Sequence, residues 1–197
     1  SSVVLGFFSF NKFLMYRDLD TEIWPDSVKP EEHSVMGALL SDGFSEPAPS
    51  ISNDEHLDQY LPPSRVHHVV DADSSQTLVL VDVNDGRNLI VQGPPGTGKS
   101  QTITNMIAEA LGHGRTVLFV SEKMAALEVV KRRLDGIGLG DACLELHSHK
   151  STKKTVLDEL ERTLELGRPR LGQIESDLDT LTTLRDRLNS YCEAVNT

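Results

Sequence analysis

The chain has 197 residues, 38% of them apolar and 25% charged, with a formal net charge of -11. This balance suits one ordinary globular domain with an appendage, and excludes a collagen-like, low-complexity or wholly disordered chain. The acidity argues against a surface coated in nucleic acid. The longest apolar run, Val3 to Phe8, is far short of the roughly 20 residues that span a bilayer, and two cysteines point to a reduced, cytoplasmic setting.

In chain order, Ser9 to Asp18 is rich in Phe, Leu and Met and reads as a short buried helix or strand-helix unit. Pro30 with Glu31 and Glu32 reads as a helix start. Val35, Leu39 and Leu40 then share a face, and Gly43 can end the helix. Residues 1–63 thus read as an N-terminal packing appendage, with no chemical role assigned. Asp73 is a plausible N-cap for a helix from Ser74 to about Val83, closed by the Asp85-Gly86 turn. From there apolar runs alternate with helical patterns. Asn88–Gln92, Thr116–Val120 and Cys143–Leu146 read as strands, with helices at Ser100–Leu111 and Lys123–Leu134 between them. Near-continuously apolar strands interleaved with helices imply an α/β fold with a parallel sheet covered on both faces.

Beyond residue 150 the pattern is helical. Val156, Leu157, Leu160 and Leu164 make one stripe. Leu171, Ile174, Leu178, Leu181, Leu184, Leu188, Tyr191 and Val195 make a heptad seam with one discontinuity. Residues 168–197 are therefore expected to be a helical, coiled-coil arm, able to pack within the chain or to pair two chains. The seam runs to the last residues, which reads as a piece cut from a longer chain.

Charge is uneven along the sequence. Arg115 to Lys154 holds eight basic and five acidic residues, a local +3, while the remainder sums to -14. The basic stretch is either a nucleic-acid surface or ordinary solvated helix faces.

Gly93-Pro94-Pro95-Gly96-Thr97-Gly98-Lys99-Ser100 matches the phosphate-binding pattern G-x-x-x-x-G-K-[ST] in full. Glycines let backbone N–H groups turn inward around phosphate oxygens. Lys99 places a charge on the β- and γ-phosphates, and Ser100 ligates Mg²⁺. The helix that follows aims its positive end at the anion. A P-loop nucleotide site follows, with Gln101 as a further nucleotide-binding residue. An amide can pair with both N6 and N7 of adenine, as it does in DNA, so Gln76, shortly before the first apolar run, is a candidate base reader. By itself it also reads as a surface glutamine.

Together these residues resemble superfamily 1 helicases, specifically the nonsense-mediated-decay-helicase-like group and its large bacterial helicase-related members. In that group a Gln that reads adenine precedes the first motor strand, as Gln76 does, and the next motif reads as residues 93–100 do. Ser121-Glu122-Lys123-Met124-Ala125-Ala126-Leu127 looks like motif Ia, which touches the nucleic-acid backbone. Leu144 to Lys150 (LELHSHK) looks like the following segment. The resemblance implies a partial RecA-like domain over residues 64–167 that uses ATP and Mg²⁺, with Lys99 as the catalytic residue. It also implies single-stranded DNA or RNA as partner. In a parallel sheet the carboxyl ends of the strands share an edge. Ser121, Lys123, His147, Ser148 and Lys150 would then sit beside the P-loop and meet phosphates.

The sequence departs from the family where hydrolysis is concerned. The resemblance implies a Walker B Asp-Glu after a later apolar strand, an arginine finger and a second motor domain. Here Asp158-Glu159 lies within an amphipathic helix and reads as solvated charge. The expectation is the ATP-binding portion of a helicase or translocase, binding MgATP with little or no hydrolysis. The alternative is an ATP-dependent switch that gates protein partners through the helical arm; a kinase-like phosphotransferase is disfavoured by Gln76.

Overall fold

The structure, a computed structural model, describes residues 6, 12–20, 22–25, 29, 32–41, 43–45, 49, 51, 56–146, 153–165 and 172–196. The chain divides into two compact units, Ser1–Pro47 and Ala48–Thr197.

In the first unit, α1 (Phe13–Asp18) exposes Phe13, Leu14, Met15 and Tyr16, so the described part of this segment is not the buried helix its composition suggested. Apolar content alone does not bury a helix of six residues, because a single short turn offers little face to cover. α2 (Ser34–Leu40) begins just after the acidic Pro30-Glu31-Glu32 signal, of which only Glu32 lies within the described residues. Gly43 ends α2 as expected, at φ +82°, with its N–H donating to the Ala38 carbonyl at 2.9 Å.

The second unit is built on three consecutive helices, α3 (Ser74–Asn84), α4 (Lys99–Gly112) and α5 (Met124–Gly136). Each ends on a glycine with positive φ: Gly86, Gly114 and Gly138. At Gly114 the next N–H, from Arg115, reaches back to the Ala110 carbonyl at 2.8 Å, and left-handed backbone there excludes most other residues. Short 3-10 turns at Leu57–Gln59 and Pro63–Arg65 precede α3, and another at Gly140–Ala142 follows α5. α6 (Lys153–Leu164) and α7 (Ile174–Asn196) complete the unit.

The core is small. Ile107 on α4 and Val130 and Leu134 on α5 are buried against one another, with Ile103, Leu111, Phe119, Ile137, Leu139 and Cys143 packed around them. Burial pushes the Cys143 thiol above its ordinary range, against the opposing Lys131 charge.

The expected parallel sheet is absent: among the described residues there is no strand. The partial RecA-like α/β fold is therefore overturned, and the described architecture is helical. Residues 88–92, 116–120 and 143–146 are irregular segments. Ile90 is 92% exposed and Leu118 88% exposed, where a covered sheet would bury them. An apolar run marks a segment suited to a ladder, but the ladder itself needs a partner strand, which is a long-range choice. Here α4 and α5 cover each other directly. Residues 116–120 and 143–146 border an apolar cleft of about 540 Å³ lined by Leu111, Val117, Phe119, Val130 and Leu144.

α7 forms one continuous helix, as the heptad pattern suggested. Its seam residues Ile174, Leu181, Leu184, Leu188, Tyr191 and Val195 are exposed, Leu178 is half-buried, and Leu171 lies outside the described residues. Its polar side meets the chain instead. Arg185 Nη1 donates to the Leu61 carbonyl at 3.1 Å, and Asn189 Nδ2 donates to Asp58 Oδ2 at 2.8 Å. On α6, Glu159 is not simply solvated: its Oε2 accepts the Glu145 N–H at 3.3 Å.

Truncating Leu134 to Ala should cost about 2–5 kcal/mol in urea unfolding, the range for a buried Leu. Leu188→Ala, at a side chain 61% exposed, should change stability by less than about 0.5 kcal/mol. In a timed iodoacetamide reaction of the folded chain, exposed Cys192 should be modified before half-buried Cys143. Equal rates read by mass spectrometry would contradict the packing of Cys143.

Candidate functional site

The phosphate-loop candidate wraps onto the N-terminus of α4. Gly96 (φ +89°) and Gly98 (φ +75°) turn the backbone, and Gly98 is the N-cap residue. The Thr97 hydroxyl donates to the Pro94 carbonyl at 2.9 Å and closes the turn. Lys99 Nζ folds back across the loop and donates to the carbonyls of Gly93 at 2.5 Å and Pro94 at 2.7 Å. Two of its three donors are spent there, and the ammonium stays exposed. A Cβ on Gly93 would meet Thr97 Oγ1 at 2.6 Å and Lys99 Cγ at 2.9 Å, so the side chains over the loop require glycine at this place. Ser100 and Gln101 follow in the first turn of α4, both half-buried. The positive end of the α4 dipole favours an anion at this end.

α3 brings Gln76 to the loop. Asp73 accepts the Gln76 backbone N–H at 2.8 Å, and Gln76 Oε1 accepts the Asp73 N–H at 3.2 Å, a reciprocal capping box. Gln76 Nε2 then donates to the Thr97 carbonyl at 3.1 Å. The amide has two N–H bonds and two acceptor sites. These contacts use one of each, so one donor and one acceptor remain for a ligand. Asp73 was legible as an N-cap, but the link from Gln76 to Thr97 spans 21 residues and was not. A cleft of about 400 Å³ opens beside these groups, lined by Asp73, Gln76, Gly93, Thr97, Lys99 and Met106. That volume lies within the ordinary range of small-molecule sites.

Residues deeper on α4 hold this corner and were not singled out by sequence. Asn105, fully buried, accepts the N–H groups of Val69 (2.9 Å) and Val70 (3.1 Å) and donates to the Val70 carbonyl at 2.9 Å. Glu109, 3% exposed, accepts the His67 N–H at 2.7 Å and the Asn84 amide at 3.3 Å. The only sequence signal was two polar residues on the apolar side of a helix. Burial holds the His68 imidazole below its usual range, although Glu109 opposes the shift. Its Nε2 lies 3.5 Å from Glu109 Oε1, so at neutral pH this is a polar contact rather than an ion pair.

The five candidate nucleic-acid residues fare unequally. Ser121 and Lys123 open α5, where Ser121 Oγ accepts the Lys123 N–H at 3.3 Å. His147, Ser148 and Lys150 lie outside the described residues. The sheet edge expected to gather all five beside the loop does not exist among the described residues.

Two curated proteins match parts of the chain. One, named an uncharacterized ATP-dependent helicase, from Mycoplasma genitalium, is 55% identical over 47 residues, which is 24% of this chain and 4% of that protein. The other, named its homolog, from Mycoplasma pneumoniae, is 47% identical over 62 residues, 32% of this chain and 6% of that protein. The chain thus contains a segment related to helicases, and it spans only a small part of these relatives' length. No family model matches the chain, and no solved structure matches it. Among the described residues no helix is long and apolar enough to cross a membrane.

Gly98→Ala should disturb the loop in two ways. The left-handed backbone costs a non-glycine residue about 1–2 kcal/mol. The new Cβ would also collide with Gln76 Nε2. Thermal melting should show that loss, and the Gln76 side-chain amide resonances should move. Unmoved amide resonances would refute the Gln76–Thr97 contact.

Proposed function

We propose that this chain is the nucleotide-binding portion of a superfamily 1 DNA or RNA helicase or translocase, and that it binds MgATP at residues 93–100. The observation that carries the reading is the glycine loop closed onto the start of α4, with the Lys99 ammonium and the Gln76 amide at one cleft. The names of the two partial relatives agree with it.

In this reading Gly93, Pro94, Pro95, Gly96, Thr97 and Gly98 surround the phosphates with backbone N–H groups. Lys99 exchanges its carbonyl partners for β- and γ-phosphate oxygens, a stronger charge-assisted contact. Ser100 offers its hydroxyl to Mg²⁺, Gln101 borders the phosphates, and Gln76 meets the base with its remaining donor and acceptor. These residues bind and orient. Rapid phosphoryl transfer also needs an oriented water and charge opposite the γ-phosphate. In these 197 residues the one Asp-Glu pair after residue 120, Asp158-Glu159, lies within helix α6. Hydrolysis should stay near background. Single-stranded DNA or RNA is the proposed partner of the intact protein, with Ser121, Lys123, His147, Ser148 and Lys150 as the proposed backbone contacts.

A second reading, an ATP-dependent switch acting through α7, is favoured by the exposed apolar seam of that helix. Salt-sensitive single-strand binding supports the helicase reading. Its absence, with self-association of the chain in sedimentation at rising concentration, supports the switch.

Titration calorimetry should show saturable MgATP binding that weakens at least about tenfold in Lys99→Ala, whose charge is removed from the phosphates, and is weaker for GTP. Gln76→Ala should erode the preference for ATP over GTP. Unchanged affinity in Lys99→Ala would overturn the proposal, as would ATP hydrolysis abolished by that variant for the claim of background turnover.

A further inference from the structure

At the far end of α4 from the phosphate loop, three metal-ligating side chains converge. His67, from the segment before α3, and Glu109 and His113, from the last turns of α4, each bring a donor atom within 4.8 Å of the other two. Ten residues separate Lys99 from Glu109, about 15 Å along a helix, so this cluster is distinct from the nucleotide site. We propose that His67, Glu109 and His113 bind a first-row divalent cation, with zinc the best fit, and that the ion pins the segment entering α3 onto the end of α4.

Four observations carry this assignment. The donor set, two imidazoles and a carboxylate, is one that zinc takes, with a fourth position left to water. In a tetrahedral site with bonds of about 2.0–2.1 Å the ligand atoms lie about 3.3 Å apart, so the cluster needs only side-chain adjustment to close.

The carboxylate is also held for the task. Glu109 is buried, and the His67 N–H and the Asn84 amide fix its two oxygens. With the His68 Nε2 contact at 3.5 Å these occupy three of its acceptor directions and leave one for an ion. Such support of a ligating carboxylate is typical of metal sites.

The rings are placed too. His113 Nδ1 lies 2.8 Å from the Glu109 backbone carbonyl. The same nitrogen lies 3.7 Å from Glu109 Oε2, so the ring is held with its Nδ1 side against the carboxylate. The His67 and His113 rings meet edge-on with centroids 5.0 Å apart.

Finally, Gly112 makes the room. A Cβ there would meet the His67 ring at 2.5 Å, so the imidazole can lie over the last turn of α4 only because that residue lacks a side chain. The sequence did not reveal the cluster, because 42 residues separate His67 from Glu109. The spacing of the two α4 ligands, i and i+4, is legible only once the buried face is known.

The test uses the whole chain, stripped with chelator and titrated with zinc and with cobalt. Expected is one ion per chain by equilibrium dialysis, a visible cobalt absorption of tetrahedral type, and a rise in thermal midpoint with zinc. His113→Ala, at an exposed residue whose loss leaves the core intact, should weaken binding at least about tenfold and abolish the thermal shift. Gly112→Ala should weaken zinc binding while leaving all three ligands present, although alanine is the better helix former. His33→Ala, in the other compact unit, should change nothing. Absence of saturable zinc binding by the folded chain would overturn the proposal. So would affinity undiminished in both His113→Ala and His67→Ala. MgATP titration of the same variants reads the nucleotide site separately, so failure of one assignment leaves the other decidable.

Discussion

The buried amide of Asn105 is the contact on which the rest of the second unit depends. It makes three hydrogen bonds to the backbone of Val69 and Val70 from inside α4. Leaving those groups unpaired would cost about 1–3 kcal/mol each, so the segment has little choice of path. That path delivers Asp73 to the start of α3. Asp73 and Gln76 then cap the helix, and Gln76 reaches Thr97 in the glycine loop. One turn further along α4, Glu109 repeats the arrangement by holding the His67 N–H. A single helix thus positions both the loop at its N-terminus and the histidine cluster at its C-terminal end.

The apolar contribution is modest beside this polar column. Ile107, Val130 and Leu134 join α4 to α5, and α3 meets α4 through Asn84, whose amide reaches Glu109 and whose carbonyl accepts from Arg115 Nη2 at 2.9 Å. With few buried side chains, specificity comes from hydrogen bonds that must be satisfied rather than from packed volume. The polar loop remains open to solvent at its cleft, and the apolar seam of α7 remains uncovered because that helix docks through Arg185 and Asn189.

Local rules were readable. Asp73 as a cap, the Asp85-Gly86 turn as a stop, and the glycine loop before α4 all follow from short-range chemistry, and α3, α4 and α5 lie within a residue or two of the expected spans, whereas α2 begins four residues after the Pro30 signal. The sheet was misread for a physical reason. Ile90 and Leu118 sit in runs that suit strands, yet a strand exists only through its neighbour, and helix α5 rather than a ladder covers α4. The same limit applied to α7, whose heptad pattern announced a helix but not which face would meet the chain.

By itself, then, the amino-acid order determined where α3, α4 and α5 begin and end and where the glycine-rich turn before α4 lies, because capping, left-handed turns and helical spacing are settled within a few residues. Tertiary structure decided what those elements do to one another. It brought Gln76 to Thr97, closed Asn105 on Val69 and Val70, and gathered His67 with Glu109 and His113. It also left the apolar runs without a sheet. The long-range contacts among these join residues 21 to 46 positions apart. Their formation depends on which groups are buried together, and burial is a property of the folded chain rather than of any local stretch.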